Sequence, residues 1–286
     1  MSRKRQFDTH LRWQSRAVLF IVSGLACASI ALHCITFLPS APGTILQSFV
    51  FGALLALLTV WWRAATLAAA IAGGLATAAL YLATPGLKTA LWPLLALLLL
   101  TLAATRFGRA RKESMGIAEG PRGRNASQVA ANLGIAVLAS VPLGMARMFL
   151  VPGALGGTPM RLALAAALAE AAADTLSSEF GEVLGGEPRL LTTLRRVPTG
   201  TDGAVSPAGT FAGIAGAILV SIAAALALNF TPGQSALVAL AAIIGLFVDS
   251  LLGALLERHG WLNNDAVNFL SGLCAAVLAA WISARP

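Results

Sequence analysis

The stretch "AEAAADTLSSEFGEVLGGEPRLLTTLRRVPTGTDG", residues 169–203, begins in an alanine-rich apolar run and ends in a loop rich in Gly, Pro, Thr and Arg. Glu170 and Asp174 lie one helical turn apart in its apolar part. A carboxylate near the middle of a membrane helix costs about 2.5–3.5 kcal/mol on insertion scales, so acids there need a specific explanation. Whether this run crosses a membrane therefore decides both the fold and the site.

The composition predicts a membrane protein. Of the 286 residues, 57% are hydrophobic and 11% are charged, whereas about 25% are charged in a soluble domain. Apolar runs of roughly 20 residues, each enough to span a bilayer, recur along the chain. The first run is too long for a cleaved signal peptide and precedes further spans, so we expect it to be retained. We predict an all-α polytopic membrane protein with about nine transmembrane helices, at residues 17–38, 44–61, 64–83, 88–105, 127–150, 159–177, 209–230, 235–256 and 266–283.

The basic residues predict the orientation. If the N-terminus is cytoplasmic, 16 of the 20 Lys and Arg residues fall on the cytoplasmic side, and only Lys88, Arg147, Arg161 and Arg285 fall outside. This asymmetry follows the positive-inside rule, and it places the C-terminus on the outer side. It also explains the net charge of +8 without a nucleic-acid partner. We expect an integral protein of a bacterial-type inner (cytoplasmic) membrane, with its active site facing the cytoplasm.

The distribution of basic, apolar and polar residues divides the chain into regions. Residues 1–16 form a basic cytoplasmic tail, and residues 17–105 form an apolar four-helix scaffold with no Asp, Glu, Lys or Arg well inside its spans. Residues 106–126 form a basic cytoplasmic loop. Residues 127–286 form a catalytic helical region that includes a Gly/Thr/Arg loop at 178–208. Small residues in this last region, such as Gly209 and Gly213 or Gly245 and Gly253, predict close helix packing.

Polar side chains share helix faces near the cytoplasmic ends of the later spans. The fifth span carries Asn125, Gln128 and Asn132 at i, i+3 and i+7. The sixth carries Glu170, Asp174 and Ser178 at i, i+4 and i+8, and Asp249 and Glu257 repeat this spacing on the eighth. Candidates at the start of the ninth span are Asn263, Asn264, Asp265, Asn268 and Ser271. Four helices thus direct polar groups toward one cytoplasm-facing cavity.

Two of the acids indicate a metal site. Asp174 and Asp249 each lie roughly 21–23 Å along their helices, and therefore at similar depth. Two carboxylates with amide oxygens suit Mg²⁺, so we predict that this pair ligates it, with Glu179 or Asp265 as further catalytic acids. One alternative is a structural acid pair neutralised by Arg or by protonation. Another is an ion-coupled transporter, although transport sites usually lie nearer the midplane.

The loop after the sixth span indicates phosphate binding. Glycine lets backbone N–H groups approach an anion, Thr hydroxyls donate to phosphate oxygens, and Arg forks onto them. A P-loop motif is absent from the sequence. Arg122 and Arg124 add positive charge on the same side, and the alternative interpretation of the loop is an ordinary solvated turn. The predicted phosphate-binding residues are Arg189, Thr192, Thr193, Arg195, Arg196, Thr199, Gly200, Thr201 and Gly203.

Five motifs carry a resemblance. They are "GRNASQVAANLG" (123–134), "AAADTLSSEFGEVLGGEPRLLTT" (171–193), "PTGTDGAVSPAGTFAG" (198–213), "DSLLGALLERHGW" (249–261) and "LNNDAVNFLSG" (262–272). In order and spacing they resemble the integral membrane family catalogued as domain of unknown function 92, from about the first span to the C-terminus. This family includes transmembrane protein 19 of animals and the plastid phytyl-phosphate kinases of plants.

The resemblance implies phosphorylation of an isoprenyl monophosphate to the diphosphate by a nucleoside triphosphate, CTP or ATP. The residues that would then orient the head group or the base are Asn125, Gln128, Asn132, Asn263 and Asn264, with Ser178 and Asn268 as further binding residues. A fainter similarity links Asp174, Gly181, Gly185, Asp249 and Ser250 to CTP-using polyprenol kinases and phosphatidate cytidylyltransferases, but the Lys-Asp element of the latter is not evident. Family membership does not guarantee a shared reaction, so a transporter or flippase of an anionic lipid and a non-catalytic scaffold remain alternatives.

Overall fold

A computed structural model describes residues 11–117, 120, 123–148 and 157–285. Arg122 and most of the predicted basic tail lie outside the described residues. Within them, a long helix occupies each of the nine positions predicted for a span. These helices are α1 (Arg12–Phe37), α2 (Pro42–Trp61), α3 (Leu67–Ala83), α4 (Leu91–Arg106), α6 (Ala126–Met148), α7 (Thr158–Leu184), α8 (Pro207–Leu228), α9 (Pro232–Leu252) and α10 (Asn264–Ser283). A short helix, α5 (Arg109–Ser114), follows α4, and a π-helical turn, Gly253–Glu257, continues α9.

Six of the described helices are long and apolar enough to cross a membrane, namely α1, α2, α6, α8, α9 with its π-helical turn, and α10. Phe20, Ile35 and Leu226 are 80%, 77% and 78% exposed, as expected of lipid-facing side chains. The apolar helices α3 and α4 have 17 and 16 residues, which corresponds to about 24–26 Å and is shorter than a bilayer core of about 30 Å. The fold is therefore an all-helical membrane bundle.

Helix α7 lies at the centre of the bundle. Each of its residues from Leu162 to Ala173 is buried, and it packs against α4, α6, α8, α9 and α10. Alanine makes this possible because its small side chain lets several helices approach one axis. A Cβ added at Gly213 of α8 would lie 2.9 Å from the Ala173 carbonyl oxygen, and one added at Gly245 of α9 would lie 2.6 Å from Glu170 Cγ. The predicted close packing at these glycines is confirmed.

The predicted loop at 178–208 begins later than expected, because α7 continues to Leu184. The segment after α7 forms a small hairpin, in which β1 (Arg189–Leu190) pairs antiparallel with β2 (Ala204–Val205). Gly203 precedes β2 with φ +72°, and a Cβ there would lie 2.1 Å from the Ala254 backbone nitrogen. Only glycine fits this contact, which holds the loop directly against the π-helical turn.

The segment before α6 is fixed by the turn between α2 and α3. The Arg124 backbone N–H donates to the Ala64 carbonyl at 2.9 Å, and the Thr66 N–H donates to the Arg124 carbonyl at 3.0 Å. Gly123 has φ +70°, and a Cβ there would lie 2.3 Å from the Ala64 carbonyl oxygen. The apolar N-terminal helices therefore position a basic residue of the segment directly before α6.

Candidate active site: an acid-lined cavity

A polar cavity of about 570 Å³ lies between α6, α7, α9, α10 and the hairpin loop. Its size is within the range of about 300–1,000 Å³ typical of small-molecule sites. The structure thus brings together predicted residues that are distant in the sequence. Those that line the cavity are Gln128, Asn132, Asp174, Ser178, Glu179, Thr199, Gly200, Thr201, Gly203, Asp249, Asn264 and Asn268.

An acid pair lies at the centre of this site. The half-buried carboxyl groups of Asp174 on α7 and Asp249 on α9 are within hydrogen-bonding reach of each other. Ser271 Oγ of α10 donates to Asp249 Oδ2 at 3.3 Å. Beside them, Asn268 Nδ2 donates to Asn132 Oδ1 at 2.9 Å and joins α10 to α6. Four helices thus present oxygen atoms to one region, as their spacing predicts.

Glu170 lies one turn deeper along α7 than Asp174. Its side chain is 3% exposed, and its Oε1 has no hydrogen-bond partner in the described part of the chain. Gly245 and Gly272 make room for it, since a Cβ at Gly272 would lie 3.4 Å from Glu170 Oε2. The sequence placed this acid on the same face as Asp174, but we did not predict it as a site residue. Because this oxygen has no hydrogen-bond partner in the described part of the chain, Glu170 is a candidate to bind a cation, a proton or a water molecule.

The cavity carries an excess of negative charge. Six acids line it, and Arg124 is the one Lys or Arg among its described lining residues. Such a site attracts cations, and a polyphosphate can enter it only if cations accompany it. The acids are Asp174, Glu179, Glu182, Asp202, Asp249 and Glu257.

The donor set fits a partly hydrated magnesium ion better than a protein-enclosed metal. Among the described residues, three or more His, Cys, Asp or Glu side chains do not converge into a metal-binding group. Mg²⁺ usually keeps several waters and binds through one or two carboxylates together with substrate phosphates. The adjoining carboxyl groups of Asp174 and Asp249 meet this requirement.

Arg124 has a larger role in the site than the sequence indicates, where it is one of two arginines that add positive charge beside the predicted phosphate-binding loop. Its guanidinium donates to Thr175 Oγ1 at 3.2 Å, and its positive charge acts on Asp174. The backbone of Arg124 is held by hydrogen bonds to the α2–α3 turn, and from this position the Arg124 side chain lines the cavity. The available signal was the Gly-Arg-Asn sequence directly before a polar helix face.

The structure does not bring the loop arginines to the cavity. Arg189 Nη1 donates to the Leu194 carbonyl at 3.0 Å within the hairpin. Arg196 forms an ion pair with Glu187 at 2.6 Å, and these side chains are 64% and 68% exposed. Arg195, Thr192 and Thr193 are also exposed and lie outside the cavity lining. Their predicted contacts with phosphate stay predictions.

Three other predicted residues form contacts that hold helix ends. Asn263 caps α10 by accepting from the Ala266 N–H at 2.9 Å, and it donates to Ser15 Oγ at 2.9 Å. Ser15 Oγ in turn donates to Asp265 Oδ2 at 2.6 Å, so both residues join α10 to α1. Asn125 accepts from the Gln128 N–H at 3.0 Å at the start of α6. These residues lie outside the lining of the cavity.

Glu179 is already engaged by a buried cation that we did not predict. Thr105 Oγ1 donates to Glu179 Oε1 at 2.9 Å, and Lys112 Nζ forms an ion pair with Glu179 Oε2. The Lys112 side chain is 2% exposed, whereas that of Glu179 is 15% exposed. The pair holds α5 against α7 and leaves Glu179 less available as a metal ligand than Asp174 or Asp249.

The fold and the site together define an integral membrane protein with an acid-lined polar cavity between its helices. The chain belongs to the integral membrane protein family DUF92, which it matches over residues 50–276. The resemblance carried by the five motifs is thereby confirmed. No solved structure matches the chain.

Known relatives come from plants, archaea and cyanobacteria. The chain is 32% identical over 184 residues to the chloroplast protein VTE6 of Arabidopsis thaliana. This aligned region covers 62% of the chain and 53% of VTE6. It is 40% identical over 116 residues to an uncharacterized membrane protein of Methanocaldococcus jannaschii, covering 40% of the chain and 48% of that protein. It is 33% identical over 187 residues to an uncharacterized membrane protein of Synechocystis, covering 64% and 69%. The chain spans about half the length of the first two relatives.

Proposed function

We propose that the protein phosphorylates an isoprenyl monophosphate to the diphosphate with CTP or ATP at the cytoplasmic face of the membrane. The observation that carries the proposal is the acid-lined cavity with Arg124 in its wall. The resemblance to phytyl-phosphate kinases and the similarity to VTE6 support the same reaction class. Because the alignment covers only 53% of VTE6, the identities of the acceptor and the nucleotide are proposed and do not follow from this similarity.

The proposed orientation follows from charge. All nine long helices cross the membrane, with the N-terminus in the cytoplasm and the C-terminus outside. The acids of α7 are tolerated within the bundle because they face the cavity and other helices rather than lipid. The 16-to-4 distribution of basic residues supports this arrangement. The cavity then opens to cytoplasmic nucleotide in a bacterial-type inner membrane.

The chemistry requires positioning more than a strong base. An oxygen of the acceptor phosphate attacks the γ-phosphorus of the nucleotide and forms a new P–O bond. The bond from that phosphorus to the β–γ bridging oxygen breaks, and a nucleoside diphosphate leaves. The attacking oxygen is already anionic, so the main obstacle is the repulsion between two polyanions. Catalysis therefore depends on alignment and on neutralisation of charge.

The chain's own residues divide these tasks. Asp174 and Asp249 would hold Mg²⁺, which when bound neutralises negative charge on the phosphates. Arg124 and Asn132 hold the acceptor phosphate. The backbone and hydroxyl groups of Thr199–Gly203 orient the nucleotide phosphates, and Asn264 and Asn268 contact the nucleotide from α10. The loop arginines add positive potential near the entrance, where they steer the anionic nucleotide.

Direct assay of the purified protein in nanodiscs tests the proposal. With Mg²⁺, CTP or ATP and isoprenyl monophosphates of several lengths, we expect a nucleoside diphosphate and an isoprenyl diphosphate in equal amounts. The Asp249→Asn variant, purified in parallel, controls for contaminating kinases. Nucleotide consumption that does not depend on the acceptor, or no diphosphate from any acceptor, contradicts the proposal.

Glu170 favours a second candidate, a flippase or transporter of an anionic lipid. A buried acid with an unpartnered oxygen, deeper than the acid pair, is typical of ion-coupled transport. A flippase would move a labelled isoprenyl phosphate across a sealed liposome without forming a new bond. A kinase would leave the label in its original leaflet and convert it to the diphosphate.

A further inference from the structure

A second cavity, of about 420 Å³, lies between α2, α3, α4 and α6. On α4 it extends from Arg106 to Leu94, a distance of about 18 Å along the helix axis. Its deeper walls are apolar and include Leu55, Ala69, Gly73, Leu94, Leu97 and Leu98. Three of the helices that we predicted to be a scaffold therefore border an apolar cavity.

This apolar cavity adjoins the acid-lined cavity. Arg124 and Asn132 line both cavities, so they mark the boundary between them. Arg63, Arg106 and Arg109 also line the apolar cavity, at its end nearest the α2–α3 turn. The two cavities together form an apolar chamber, a basic boundary and an acid-lined chamber. An amphiphile with an anionic head and a long apolar tail matches this order.

We propose that the apolar cavity holds the isoprenyl tail of the acceptor, with the acceptor phosphate at Arg124 and Asn132. This inference rests on the proposed function and assigns the substrate's tail to the interior of the protein rather than to the surrounding lipid. Burial of the tail adds apolar contact along its length, so the cavity selects acceptors by chain length and shape. The pinned segment at Gly123 holds the basic boundary in place between the two chambers.

Gly73 offers a way to fill the apolar cavity without disturbing the acid-lined one. A Cβ added there would lie 3.7 Å from Val129 Cγ1 and 3.8 Å from Leu55 Cδ2, which are ordinary contacts. Alanine therefore fits at this position, whereas the three further carbons of leucine occupy space that the tail would use. Gly24, exposed on α1 with no atom within 4 Å of an added Cβ, provides the matched control.

Photocrosslinking in nanodiscs tests the proposal without turnover. The probe is a geranylgeranyl-length monophosphate with a diazirine near the end of its tail, and crosslinked peptides are identified by mass spectrometry. We expect crosslinks in α2, α3 and α4, and displacement of the probe by unlabelled isoprenyl monophosphate. Gly73→Leu should reduce crosslinking at least tenfold, whereas Gly73→Ala and Gly24→Leu should stay within twofold of the wild type. Thermal unfolding should show Gly73→Leu at least as stable as the wild type, because leucine fills an empty space.

The outcomes separate this inference from the proposed function. Crosslinks in the apolar cavity without diphosphate formation under any condition support the tail site and contradict the kinase. Diphosphate formation with crosslinks only on lipid-facing residues such as Phe20, or with Gly73→Leu binding the probe like the wild type, overturns the tail site and leaves the kinase. Displacement of the probe by phosphatidic acid but not by isoprenyl monophosphate also overturns it, because the occupant is then a bilayer lipid.

Discussion

Replacement of Arg124 by lysine should weaken catalysis while the fold is preserved. Lysine keeps the positive charge beside Asp174 but loses the planar fork that binds two phosphate oxygens. A hydrogen bond to a charged group contributes about 1.5–3 kcal/mol. Loss of one such bond in the transition state lowers kcat/KM by roughly 10- to 150-fold. The backbone contacts to Ala64 and Thr66 do not involve the side chain, so the variant should keep the fold. Loss of the hydrogen bond to Thr175 should lower the free energy of unfolding by only about 0.5–1.5 kcal/mol.

The assay compares kcat/KM for diphosphate formation in Arg124→Lys and in Arg196→Lys. Arg196 is the matched control because its ion pair with Glu187 is exposed, and such pairs contribute about 0–1 kcal/mol. We expect the control to stay within about fivefold of the wild type, although the sequence alone favoured a loop arginine as the phosphate contact. An Arg124→Lys rate within threefold of the wild type, or an equal loss in both variants, would refute this assignment.

Three further predictions concern the metal, a buried ion pair and the topology. Asp174→Asn and Asp249→Asn should each abolish turnover, although both variants should purify as folded protein. Chelation of Mg²⁺ should cause the same loss of turnover reversibly. Near wild-type turnover in either variant would show that the replaced residue is not a metal ligand. Lys112→Met and Glu179→Gln should each lower the free energy of unfolding, measured in an SDS titration, by about 3–5 kcal/mol. The double variant should lose less free energy than the two single variants added together. Additive losses would contradict direct pairing of the two side chains. A cysteine at Thr193, in a background without the three native cysteines, should react with a membrane-impermeant thiol reagent only from the cytoplasmic side, and labelling from outside would reverse the orientation.

The positions of the helices were predictable because apolar runs are a local property of the sequence. The end of α7 was not, since "SSEFGEVL" at 177–184 is polar and resembles a loop. This segment is helical because one of its faces lines the acid-lined cavity and because Lys112 pairs with Glu179. Tertiary contacts thus override the local signal of composition there.

The central acids of the site were predictable and its main cation was not. Helical spacing and equal depth suffice to bring Asp174 and Asp249 together. Arg124 reaches the site through a backbone pairing with the α2–α3 turn, and the Gly-Arg-Asn sequence before α6 marks the residue without revealing that pairing. Arg189, Arg195 and Arg196 were predicted from the Gly/Thr/Arg composition of the loop and from its position after the acidic helix, and neither tells on which side of a hairpin a side chain lies. The apolar cavity likewise arises from the packing of helices whose individual sequences are merely hydrophobic.

The contact between Gly203 and Gly253 restricts how this protein can be recombined with its relatives. A Cβ at Gly203 would lie 2.5 Å from the Ser250 carbonyl oxygen, and one at Gly253 would lie 2.7 Å from the Gly203 nitrogen. The loop and the end of the helix that carries Asp249 therefore fit each other as a matched pair. A chimera that imports the loop should import the Gly253–Glu257 turn with it. Exchange of either part alone would move Asp249 away from Asp174, so a crossover inside this pair should be far more harmful than one outside it.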